Sequence, residues 1–75
     1  MPTLVEIGHL QIRIYARDHL PPHFHISTPD GEAMMLISDL SLYRGRLRQS
    51  ELKLVLAWAR ANREFLQDAW FRYNG

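Results

Sequence analysis

Seventy-five residues, 47% of them hydrophobic, with no cysteine and a formal net charge of +1, make up about half the length of a usual domain. A chain this short forms one domain, spanning residues 1–75, and buries only about 60–65% of its unfolded surface; with disulfides excluded, a bound metal or a second chain is left as reinforcement. The weak charge argues against binding by bulk phosphate neutralisation, no run approaches the ~18 apolar residues of a membrane span, and the lack of both cysteines and a basic leader in Met1-Pro2-Thr3-Leu4-Val5-Glu6 leads to an expected cytoplasmic location.

Leu4 to Ile7 and Leu10 to Ala16 flank Gly8-His9, a pair suited to a tight two-residue turn, so the first two strands are expected to be antiparallel neighbours. In the second, Leu10, Ile12, Ile14 and Ala16 alternate with Gln11, Arg13, Tyr15 and Arg17, the period of a half-buried strand. Asp18-His19-Leu20-Pro21-Pro22 must leave the sheet, because two successive prolines supply no ladder donors and keep the chain extended. His23-Phe24-His25-Ile26-Ser27 alternates again, which turns Phe24 and Ile26 inward and sets His23 and His25 side by side on the other face.

Thr28-Pro29-Asp30-Gly31 has the chemistry of a reversal, and Glu32 to Ile37 follows as a strand apolar on both faces, which implies a covered position. Arg44, Arg46 and Arg48 form a basic cluster before the last segment, a candidate contact for phosphate or RNA. From Ser50 to Tyr73 helix formers dominate, with Leu52, Val55, Leu56, Ala59, Phe65, Leu66, Ala69, Trp70 and Tyr73 at helical spacing and Leu54 and Trp58 widening the stripe. Asn62 can cap a second helix, but nothing else there forces a break, so a continuous helix is expected. These elements predict an α+β fold: a small antiparallel sheet of about four strands with a C-terminal helix or helix pair packed on one face.

The concentrated chemistry is the segment Asp18 to His25. His23 and His25 present two imidazoles from one strand face while Asp18 and His19 arrive from the loop, a donor set that zinc, nickel, iron or manganese accepts. The same histidines suit a metal-free ribonuclease, one as base and one as acid, with Arg13, Arg17 or the Arg44–Arg48 cluster on the phosphate. A third reading has them bracing the Pro-Pro loop or an oligomer interface, with no turnover. His9, on the first turn, is expected to be exposed and outside the site, and Glu32, Asp39, Glu51, Glu64 and Asp68 are scattered acids expected mostly to face solvent.

The run Asp18-His19-Leu20-Pro21-Pro22-His23-Phe24-His25, followed by Gly45-x-Leu47, Trp58 and Trp70, resembles DUF4160, a widespread bacterial family of small proteins, from Ile7 to Trp70. The resemblance implies a gene often placed beside another small protein, as in a toxin–antitoxin or regulatory pair, and implies no catalytic residue. Association is expected on physical grounds as well. An unbroken helix of about 25 residues reaches roughly 37 Å and overhangs strands of ~20 Å. That leaves Phe65, Leu66, Trp70, Phe71 and Tyr73 for a homodimer or a small partner protein to cover.

Overall fold

The computed structural model describes residues 3–75. Strand β1 (Thr3–Ile7) turns through Gly8-His9 into β2 (Leu10–Arg13), with Ile7 paired to Leu10 and Gly8 in the left-handed region at φ 60°, which glycine adopts without a Cβ penalty. After the proline loop, whose Leu20–Pro21 bond is cis, β3 (His23–Thr28) reverses through Pro29-Asp30 into β4 (Gly31–Leu36). The Thr28 hydroxyl braces that reversal by accepting the Asp30 N–H at 3.1 Å. A short β5 (Leu42–Arg44) completes a sheet of order β1-β2-β3-β4-β5, antiparallel throughout.

The sheet therefore has five strands rather than about four. The fifth escapes a periodicity reading because it is a three-residue edge strand, exposed along its length, with no buried face to impose alternation. β2 is also shorter than expected: its pairing with β3 stops at Arg13–His25, so Ile14 is still buried while Ala16 is exposed in a turn where Arg17 takes φ 58°.

The C-terminal segment divides into α1 (Gln49–Ala61) and α2 (Arg63–Asn74), which corrects the expected single helix. Asn62 makes the break. Its side-chain amide donates to the Trp58 carbonyl at 2.8 Å while its backbone N–H turns to Ala59 at 3.1 Å. Its own carbonyl then accepts from Leu66 at 3.0 Å to start α2. Arg63 fixes the new direction by donating to the carbonyls of Ile37 and Ser38.

With the helix broken, α2 returns to the sheet. Val55, Ala59, Leu66, Ala69 and Trp70 join Leu10, Ile12, Ile14, Phe24, Ile26, Met35 and Ile37 in one core against one sheet face. Leu66 and Trp70 are thus buried within the chain, while Phe65 and Phe71 of the expected overhang stay exposed, as does Leu54 of the helical stripe. Among the described residues no helix is long and apolar enough to cross a membrane.

Candidate metal centre

The alternation of β3 sends Phe24 and Ile26 into the core and places His23 and His25 on the opposite side of the strand, yet both histidines are buried, at 0% and 6% exposure. Aromatic neighbours supply the cover: the Tyr15 ring meets His25 edge-on at 4.5 Å, and Trp70 from α2 comes within 5.3 Å of His23. His19 stacks on the remaining side of His23 at 4.7 Å, with Tyr43 at 6.0 Å. Asp18 is delivered by the loop and held from behind, because its N–H donates to the Asn74 side chain at 2.8 Å and Asn74 in turn donates to the Tyr15 carbonyl at 3.0 Å. The last residue of α2 therefore ties down the loop that carries the acid.

Three donor atoms converge. The Oδ2 atom of Asp18 lies 2.8 Å from His25 Nε2 and 3.0 Å from His23 Nε2, and ligand atoms of the three residues all lie within 4.8 Å of one another. Tetrahedral ligands on bonds of about 2.0–2.1 Å stand roughly 3.3 Å apart, so the two Asp18 contacts lie a few tenths of an ångström inside that spacing.

Proton positions sharpen this picture. His23 Nδ1 lies 2.7 Å from the Pro21 carbonyl, which can only accept, so Nδ1 carries the proton and the neutral ring leaves Nε2 bare. That bare nitrogen is fully buried, has no hydrogen-bond partner, and faces a carboxylate oxygen that is also an acceptor. His25 has the complementary arrangement. Its Nε2 donates to Asp18, and its buried Nδ1 is left without a partner, 3.6 Å from Glu32 Oε2. Burial pushes the Asp18 carboxyl up, the hydrogen bonds from His25 and from the His19 N–H pull it down, and the group lies below the ordinary aspartate value.

Of the residues singled out in the sequence, Asp18, His23 and His25 come together and His19 stands beside them, half exposed, with Nε2 3.7 Å from Asp18 Oδ1. The Arg44, Arg46 and Arg48 cluster lies on the exposed surface, where Arg48 pairs with Asp30 at 2.9 Å and Arg44 sits over the Tyr43 ring. His9 is an exposed turn residue, but it reaches Glu51 at 3.2 Å. Glu51 is buried rather than solvent-facing, because its carboxylate also accepts the Arg48 N–H at 2.9 Å and so caps α1.

Sequence reasoning missed Tyr15, Trp70 and Asn74 as the walls of the centre and Glu32 as a neighbour of His25. Glu32 was legible once the reversal is fixed at two residues. That reversal sets Ser27 opposite Glu32 and His25 opposite Met34, which brings Glu32 diagonally next to His25 on the same face. Trp70 and Asn74 depend on where α2 returns, which residue spacing does not encode, whereas Tyr15 comes from the chain just after β2.

A family model described as "Domain of unknown function (DUF4160)" matches residues 10–71, a span that holds the whole Asp18–His25 segment and both tryptophans. The chain belongs to that family. No curated protein and no solved structure matches it.

Proposed function

We propose that this DUF4160 chain is a small metal-binding protein whose Asp18, His23 and His25 hold one divalent cation, with the ion fastening the proline loop to the sheet. The observation that carries the reading is His23: its Nδ1 is committed to the Pro21 carbonyl, and its buried Nε2 faces the Asp18 carboxylate acceptor to acceptor. A histidine that ligates metal through one nitrogen commonly gives its other N–H to a backbone carbonyl or carboxylate. Two imidazoles and a carboxylate without thiolate suit zinc, nickel, iron or manganese. His19, with its Nδ1 3.3 Å from the Leu20 carbonyl and its Nε2 3.7 Å from Asp18 Oδ1, stands outside the three-donor group and would have to turn from its stack on His23 to add a fourth ligand.

The ribonuclease reading loses ground on burial. A histidine that exchanges protons with a phosphodiester must reach it within ~3 Å, and His23 is fully enclosed. If the chain belongs to a toxin–antitoxin or regulatory pair, or forms a homodimer, exposed Leu20 and Phe71, which flank a cleft of ≈ 430 Å³ beside Trp70, are the apolar surface a second chain would cover.

Metal analysis of protein purified without a histidine tag tests the proposal. Near-stoichiometric metal is expected in the wild type and a large loss in Asp18→Asn, His23→Ala and His25→Ala, with helical circular dichroism as the control for folding. Unchanged metal in the His23→Ala, His25→Ala double variant would sink the reading. Metal-free wild type that takes up none of the four cations on titration would mean that a second proton on His23, and not an ion, satisfies the contact with Asp18.

A further inference from the structure

We propose that Glu32 is the positioning residue of the centre: it accepts the Nδ1 proton of His25 and so selects the ring tautomer whose Nε2 is free to bind the ion. This rests on the metal reading above and adds to it a carboxylate–histidine–metal chain that reaches the protein surface.

Without an ion, His25 Nε2 must carry the proton that it donates to Asp18 at 2.8 Å, which leaves Nδ1 a bare acceptor. That Nδ1 is buried and unpartnered, and the group facing it is another acceptor, Glu32 Oε2 at 3.6 Å. The pair is therefore wrongly matched in the ion-free ring and correctly matched in the other tautomer. For a cation to bind at Nε2 the ring would have to adopt its other tautomer, losing the Nε2 proton to solvent and taking one up at Nδ1. The imidazole is neutral before and after, and Nδ1–H now points at a carboxylate. Closing 3.6 Å to a hydrogen bond takes a movement of roughly 0.7 Å, which a glutamate side chain 46% exposed makes without leaving water.

The backbone of Glu32 is better fixed than its side chain. Gly45 passes so close that a Cβ there would run into the Glu32 carbonyl and lie 2.8 Å from Ala33 Cα. The antiparallel register with β3 also holds Glu32 opposite Ser27, one diagonal step from His25. The two histidines are thus oriented by different partners, His23 by a neutral carbonyl and His25 by an acid. A carboxylate partner raises the basicity of the ring it orients and strengthens its hold on metal.

The test is zinc titration of the full chain against a competing chelator, comparing wild type with Glu32→Ala and Glu32→Gln and using Glu64→Gln, an acid at the start of α2, as a control. Glu32→Ala is expected to weaken zinc binding about 10- to 100-fold while leaving one ion per chain. Glu32→Gln, which keeps an acceptor but no charge, should recover part of that loss, and Glu64→Gln should match wild type. Nitrogen-15 spectra of the histidine rings supply a readout that a merely structural role would not move: zinc-loaded wild type should show His25 bound through Nε2 with a proton on Nδ1, and that proton resonance should move in Glu32→Gln. Zinc affinity of Glu32→Ala within about threefold of wild type, or His25 bound through Nδ1, would overturn the role of Glu32 while leaving the centre intact. Wild type that binds no zinc, nickel, iron or manganese would overturn both.

Discussion

Asp18 is the residue on which the centre turns, since one carboxylate receives His25, faces His23 and accepts the His19 N–H. Although burial raises its pKa, the hydrogen bonds from His25 and the His19 N–H lower it, and it lies below the ordinary value. The sign of the pH effect follows. A carboxyl whose folded pKa lies below its unfolded value of about 3.9 adds stability above that pH and gives it up as pH falls through the folded value. Urea midpoints of metal-free wild type should therefore drop as pH is lowered below about 4, and Asp18→Asn, less stable at neutral pH, should show a shallower drop in the same window. Parallel curves would mean that the carboxylate gains nothing from its histidines. At this scale the sequence exposed what a period of two can show, the side-by-side pair His23 and His25. It concealed Glu51 and Glu32, because an acid looks solvent-facing until its partner across the fold is known: the Arg48 N–H and His9 for one, His25 Nδ1 for the other.

At the scale of elements, the hairpins were legible because their turn residues have backbone requirements, while β5 and the helix break were not. Both of the latter depend on single residues reacting to tertiary neighbours. Gly45 takes φ 80° where the chain leaves β5 and passes Glu32 and Ala33, and no local pattern announces that approach. Gly8 has a similar φ of 60° but open space around its missing Cβ. The two glycines therefore separate backbone strain from steric collision. Gly8→Ala should cost about 1 kcal/mol, the penalty of a left-handed residue with a side chain. Gly45→Ala should cost more, about 2–3 kcal/mol, because the collision is with main chain that cannot rotate away. Chemical denaturation of the two variants checks the order, and equal losses would show that β5 yields freely at its edge. The break at Asn62 has the same character. Its side chain replaces a helical hydrogen bond at Trp58, and Arg63 finds carbonyls at Ile37 and Ser38 only once α2 has turned back.

For the molecule as a whole, that turn changes the argument about reinforcement. The folded chain measures 32 × 22 × 20 Å, so an unbroken C-terminal helix of roughly 37 Å would have projected beyond it. Folding back buries Leu66 and Trp70 against the chain's own sheet and leaves Phe71 and Leu20 as the large apolar side chains most exposed to water among the described residues. The need for a second chain falls accordingly, and the need for a metal does not. The fold has no disulfide, and the loop that carries Asp18 is held by Asn74, by the histidines and by the backbone bond from the Ile37 N–H to the Pro22 carbonyl. An ion bound by the folded state alone adds about 2.7 kcal/mol when free metal is 100 times its dissociation constant, which for a domain of this size raises the melting temperature by roughly 10–20 °C. A reinforcing dimer would instead make the melting temperature climb with protein concentration. Melting curves with zinc, with a chelator, and over a hundredfold range of protein concentration separate the two, with stability expected to follow the metal and not the protein. The opposite result, a transition indifferent to zinc and rising with concentration, would return the role of reinforcement to a second chain and place Leu20 and Phe71 at its interface.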